Sequence, residues 1–180
     1  MIRAYPVHHT KSSLFAEVLA RYVATLFVET GTNTGHGVQT ALDVGFGRVV
    51  TIEADPVFWR IACDRFREDS RVSVLLGSSA VLLTDVASKI VRPATFYLDA
   101  HSAESNPLLD ELSAIAMSPC ATHTILIDDV RMFGTPDWHG LSEDDALDRI
   151  YAINPKYRIA YADTYNAAND LLVATVGDAS

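Results

Sequence analysis

Two groups of residues in this chain have types and spacings that could do chemistry. The first is Phe27-Val28-Glu29-Thr30-Gly31-Thr32-Asn33-Thr34-Gly35-His36-Gly37, an apolar run that passes through an acid into three closely spaced glycines. Glycines let the backbone turn sharply and approach a ligand without a Cβ, and a following helix offers its N-terminus, so the stretch reads as a nucleotide-cofactor loop. The second group is Asp99-Ala100-His101 and Asp128-Asp129, acids that close two further apolar runs. Behind them, Val130 to Gly140 carries Phe133, Trp138 and His139 between Gly134 and Gly140. A loop of that length with aromatic residues is expected to act as a substrate lid, the alternative being that its aromatics pin an ordered loop to the domain.

These residues need elements to position them, and the hydrophobic pattern supplies an alternation. A helix capped by Ser12 or Ser13 is expected through Phe15, Val18, Leu19 and Tyr22, followed by a first strand at Leu26 to Glu29. Then come a helix from His36 to Asp43, a strand from Arg48 to Glu53, and a helix capped by Asp55 with Pro56 at its first position. In that helix Trp59, Ala62 and Phe66 form the apolar face. A third strand spans Val72 to Leu76, and Ser78 or Ser79 caps a helix carrying Leu82, Leu83, Val86 and Ile90. Thr95 to Asp99 is the fourth strand, Asn106 and Pro107 start a helix, and Thr124 to Ile127 is the fifth. Such near-continuous apolar runs suit parallel strands buried on both faces. A helix near Ser142 precedes two last strands, Tyr157 to Ala162 and Leu171 to Val176, joined without a helix and therefore antiparallel.

Five alternating units followed by a helix and a hairpin, from about residue 24 to 176, resemble the class I S-adenosylmethionine-dependent methyltransferases. The resemblance implies an α/β, Rossmann-like three-layer sandwich whose seven-stranded, mostly parallel sheet ends in a C-terminal antiparallel hairpin. One domain is expected over 1–180, with residues 1–11 an extension, 12–25 a helix, 26–176 the core and 177–180 a tail. The glycine spacing also matches short-chain dehydrogenases, but those need a tyrosine four residues before a lysine, and Lys11, Lys89 and Lys156 have none. Glu29 argues the same way: a carboxylate there repels a pyrophosphate and suits the cationic amino group of S-adenosylmethionine, or the ordering of the glycine loop. Glu53 can accept two bonds from ribose hydroxyls. The expected cofactor residues are Glu29, Gly31, Thr32, Asn33, Gly35, Glu53, Ala54, Ser78, Ser79 and Asp99, with helix capping an equal claim on the two serines.

In that fold the ends of strands four and five are neighbours, so Asp99, Asp128 and Asp129 converge and would repel one another without a compensating cation or donors. The arrangement resembles metal-dependent O-methyltransferases of the catechol and macrocin types. The resemblance implies that Asp99, Asp128 and Asp129 hold magnesium or another divalent cation, with His101 as base and Asp99 beside it in catalysis. The residue-level alternative is that Asp99 binds the cofactor while Asp128 and Asp129 brace their loop. The expected activity is O-methylation of a small hydroxylated molecule. A catalytically silent cofactor-binding module is the alternative, and an NAD-linked oxidoreductase ranks below both.

The bulk properties narrow the partners. With 180 residues, 49% hydrophobic content and a net charge of -9, the chain can build one sizeable core and does not present a generally basic surface. Nucleic acid is not an expected partner; a homodimer is left open. Cys63 and Cys120 have no metal-type spacing and are expected as free thiols, while His8 and His9 beside Lys11 read as a surface feature. No leader pattern or membrane-length run is visible, so a cytoplasmic protein is the expectation.

Overall fold

The computed structural model describes residues 10–102 and 105–177. Its strands are β1 Leu26–Thr30, β2 Arg48–Glu53, β3 Val72–Leu76, β4 Thr95–Leu98, β5 Thr124–Ile127, β6 Arg158–Ala162 and β7 Leu171–Thr175. They form one sheet in the order β3-β2-β1-β4-β5-β7-β6. The first five pair in parallel, and β7 runs antiparallel to both β5 and β6. The chain order reverses at β1, which lies between β2 and β4. Open α/β sheets bind ligands outside the carboxyl ends of their strands at such a reversal.

Side chains alternate across each strand, so neighbouring residues enter different cores. Helices α1 Thr10–Leu19, α2 His36–Val44 and α3 Pro56–Phe66 cover the face carrying Phe27, Val49, Tyr97, Leu126 and Val173. Helices α4 Ser79–Ala87, α5 Leu108–Ile115 and α6 Glu143–Ile153 cover Val28, Ile52, Phe96, Leu98, Ile125 and Ile127. Full burial of a leucine, isoleucine or phenylalanine contributes about 1.5–3 kcal/mol, and these central strands are where the burial concentrates.

Local signals place several helix starts. Asp55 accepts the Val57 N–H at 2.6 Å with Pro56 in the first turn, and Ser142 and Asp145 exchange bonds in a reciprocal cap that starts α6. Asn106 Oδ1 accepts the Leu108 N–H at 3.0 Å, one residue past the expected start of α5. Other expectations are corrected. Helix α1 already includes Thr10, so Ser12 and Ser13 lie inside it rather than capping it, and it gives way to a 3-10 turn at Ala20–Tyr22. Serine marks a cap only where the residues before it leave helical dihedrals. Ser78 stands at the α4 N-cap position, but its side chain makes no capping bond. Ile90 lies beyond the end of α4 and is still buried. Trp59 is half-buried, and its indole N–H reaches the Val74 carbonyl of edge strand β3 at 3.3 Å. Both cysteines are free. His8 and His9 lie outside the described residues. Among the described residues, no helix is long and apolar enough to cross a membrane.

Candidate functional site

Parallel register sets Thr51, Glu29 and Tyr97 side by side on one face of β2, β1 and β4. Thr51 Oγ1 donates to Glu29 Oε2 at 2.7 Å and lies 2.5 Å from Thr32 Oγ1, so a short hydroxyl chain ties the glycine loop to the acid. The loop then folds over that acid. A Cβ on Gly37 would lie 1.8 Å from Glu29 Oε1, and Gly31, at φ 81°, would bring one within 2.5 Å of the Asp99 carbonyl oxygen. These two glycines make room for the protein's own groups.

Glu29 is only 2% exposed. Burial pushes its pKa up to about 8, the Thr51 hydrogen bond opposing and the charge of Glu53 adding to the rise. At pH 7 it is therefore mostly neutral, which corrects the expectation of a standing carboxylate that repels a pyrophosphate. Its selectivity has to come from the ligand: a nearby ammonium favours ionisation, whereas a pyrophosphate favours the protonated acid.

Glu53 is already engaged, Oε2 accepting the Asn33 N–H at 2.7 Å and Oε1 the Asp55 N–H at 2.9 Å. It holds the glycine loop against the start of α3. Ala54 is exposed, and Glu53, Ala54, Ser78 and Ser79 do not line the cleft that Glu29 and the loop from Gly31 to Thr34 enter. Ser79 and Thr30 instead stand near Glu111, an α5 acid 1% exposed whose pKa burial raises to about 7. Oε1 of Glu111 and Oγ1 of Thr30 complete no hydrogen bond among the described residues.

At the ends of β4 and β5 the acids gather around Tyr97, whose hydroxyl donates to Asp128 Oδ2 at 2.5 Å and lies 3.4 Å from Asp99 Oδ2. Burial, then the neighbouring carboxylates, raises the pKa of Asp99. Burial also raises that of Asp128, against the Tyr97 bond. Asp129 behaves oppositely: burial works against its charge, but His101 and Arg131 hold its pKa below the usual carboxylate range. Its Oδ2 meets His101 Nε2 at 2.9 Å and its Oδ1 meets Arg131 Nη1 at 2.6 Å. The hydrogen bond to Asp129 raises the His101 pKa. Arg131 also pairs with buried Asp170, both through Nη1 and through its backbone N–H.

The three expected metal ligands do not form one compact donor group. Among the described residues, the groups within 4.8 Å are Asp99, His101 and Asp129, and Asp128, Asp129 and Asp170. Both groups share Asp129, which a guanidinium already contacts. A hard dication there would face a fixed positive charge at short range, so the donor set does not fit the expected metal.

A cleft of about 550 Å³ opens between these two regions, lined by Glu29, the loop from Gly31 to Thr34, Tyr97, Asp99, Asp128 and Asp129. Its other walls include Phe15 of α1, α2 from His36 to Asp43 and the β6–β7 connection from Asp163 to Asn166. His101 is not in the lining; its ring turns to Asp129. Nor are Phe133, Trp138 and His139. Trp138 is 3% exposed and packs edge-on against Phe133 at 4.9 Å within the core. His139 is exposed, at φ 54°. The segment expected as a lid is anchored by its aromatics. Sequence reasoning missed Tyr97, Thr51, Phe15, Arg131 and Asp170; the two-residue step from Tyr97 to Asp99 was the one available signal.

No protein-family model matches the chain, and no curated protein sequence matches it. Solved structures do. An O-methyltransferase from Bacillus cereus in complex with SAH superposes at TM-score 0.68 and 19% identity, over 97% of this chain and 84% of that one. TomG, a Streptomyces achromogenes O-methyltransferase of tomaymycin synthesis in complex with SAM, gives 0.62 and 15%, over 92% and 78%. The chain has the class I methyltransferase fold. CalS10, a SAM-bound amino pentose methyltransferase from Micromonospora echinaspora, shares this methyltransferase fold at TM-score 0.63 and 12% identity, over 92% and 90%.

Proposed function

We propose that the chain is an S-adenosylmethionine-dependent methyltransferase acting on a small hydroxylated molecule. One observation carries the reading: Glu29, a buried acid lining the cleft, is held by Thr51 beneath a glycine loop whose Gly37 leaves space for it. A ligand ammonium at that acid would form a charge-assisted bond in a poorly solvated place. The cleft's volume, about 550 Å³, lies in the range of small-molecule and cofactor sites. S-adenosylmethionine supplies, when bound, an electrophilic methyl group on a sulfonium.

The remaining roles belong to this chain's residues. Gly31 to Gly35 shape the loop, and Glu53, outside the cleft lining, holds that loop against the start of α3 through its two backbone bonds. Asp99 lines the cleft, where its carboxylate form could take the acceptor's hydroxyl proton. His101, turned to Asp129, belongs to the support of that edge in this reading. The lining contains Glu29, Asp43, Asp99, Asp128, Asp129 and Asp163 but, among the described residues, no lysine or arginine. That lining favours neutral or cationic acceptors over phosphorylated ones, with Phe15, Tyr97 and Tyr165 as apolar walls.

Calorimetry with S-adenosylhomocysteine is the first test; failure to bind both it and S-adenosylmethionine would sink the proposal. Hydroxylated compounds are then screened for a gain of one methylene in mass. Turnover abolished by Asp99→Asn, with cofactor affinity retained, supports the enzyme. Cofactor binding without turnover is the behaviour of a silent binding module.

A further inference from the structure

We propose that Arg131 is the resident counter-cation of the acidic edge, its guanidinium paired with Asp129, the acid that both candidate donor groups share, so that the edge functions without a divalent metal. The inference deepens the methyltransferase reading and rests on it for the use of the edge, but its binding test does not require turnover. Arg131 Nη1 contacts Asp129 Oδ1 at 2.6 Å and the carboxylate of Asp170, while the Arg131 backbone N–H donates to Asp170 Oδ1 at 3.0 Å. The Asp170 side chain is fully buried, with Thr164 Oγ1 as its further donor at 2.8 Å. Removing the guanidinium would leave a buried carboxylate without its counter-charge, so Arg131 is not a surface arm free to swing away.

The local backbone builds the same arrangement. Asp129 adopts φ 59°, and the 3-10 turn Val130–Met132 that follows, closed by Met132 N–H to the Asp129 carbonyl at 2.8 Å, carries Arg131. Both oxygens of Asp129 thereby face cationic or donor groups. Asp128 is turned elsewhere, Oδ2 to the Tyr97 hydroxyl at 2.5 Å and Oδ1 to the Asp129 N–H at 2.8 Å. A dication in either acidic group would share Asp129 with a guanidinium that cannot relieve the repulsion by losing its proton. The network therefore joins the β5 loop to the start of β7.

The test titrates the full-length protein with Mn²⁺ and Mg²⁺, reading bound Mn²⁺ by electron paramagnetic resonance and both ions by calorimetry. The wild type should show no saturable site, Arg131→Met should gain Mn²⁺ binding, and Arg131→Met combined with Asp129→Asn should lose it again. Arg131→Lys should keep metal out by restoring a cation. Stoichiometric metal on the wild type that Asp129→Asn removes would overturn the proposal, as would a folded Arg131→Met protein that takes no metal. If Arg131→Met does not fold, the wild-type and Arg131→Lys titrations still decide. S-adenosylhomocysteine binding, measured without metal on the same samples, separates the outcomes: its absence counts against the methyltransferase reading and leaves the metal result standing.

Discussion

Cofactor binding should release a proton from Glu29. With its pKa at about 8, the acid is protonated in about ten of eleven unliganded molecules at pH 7. A ligand ammonium that holds it ionised must expel roughly 0.9 proton on binding at that pH, at a cost of about 1.4 kcal/mol. Affinity for S-adenosylhomocysteine should therefore rise about tenfold per pH unit from pH 6 and level off near pH 8. Calorimetry in buffers of different ionisation enthalpy counts the proton directly. Glu29→Gln, which keeps an acceptor for Thr51, should bind more weakly at pH 8 and lose the pH slope. A flat affinity between pH 6 and 8 without proton release, or the same slope in Glu29→Gln, would refute the reasoning. Stability supplies an independent check. An ordinary glutamate titrates at about 4.3, so between there and pH 8 the folded state holds the extra proton. Stability of the unliganded protein should fall as pH rises through that window, by at most about 5 kcal/mol, and the glutamine variant should lack this fall.

Gly37→Ala should abolish cofactor binding, because its Cβ would lie 1.8 Å from Glu29 Oε1; the overpacking should cost about 1–3 kcal/mol in urea unfolding, and unchanged binding would contradict the packing argument. Trp138→Ala should act as a core deletion, costing about 3–5 kcal/mol by thermal or urea unfolding while cofactor affinity at low temperature is retained; a stable variant with altered acceptor preference would restore the lid. His123 is buried and neutral, accepting the Ala94 N–H at Nδ1 and facing Ser118 Oγ at Nε2, and burial lowers its pKa to about 4. Unfolded histidine binds its proton at about 6.5, so stability should decline as pH falls from there to about 4, by about 3 kcal/mol, and His123→Gln should not show that component.

The alternation of strands and helices was legible because burial on both faces demands apolar runs such as Thr124–Ile127, and because local groups start helices, as Asp55 and Ser142 do. The glycine loop was legible because closely spaced glycines after an apolar run signal a sharp turn, although the group that crowds Gly31, the Asp99 carbonyl, comes from another strand. The N-terminal helix was misplaced because Ser12 and Ser13 carry a capping signal that the preceding residues override. Loop 130–141 stayed open between a lid and a pinned loop because exposed loop aromatics and core anchors have the same spelling; Trp138 is distinguished only by the cluster it enters.

By itself, the sequence determined which acids and glycines stand at the strand ends, since periodicity and turn chemistry act over a few residues. Tertiary structure decided what those acids are. Thr51 and Tyr97 stand beside Glu29 through parallel register, and the Glu29 pKa is pushed up to about 8 because the fold removes it from water. Asp129 meets Arg131 through the local turn, but Arg131 meets Asp170, 39 residues away, only because β7 returns antiparallel beside β5. Charge state and counter-ion depend on burial and on groups distant in the chain, and neither is written in residue type or local spacing.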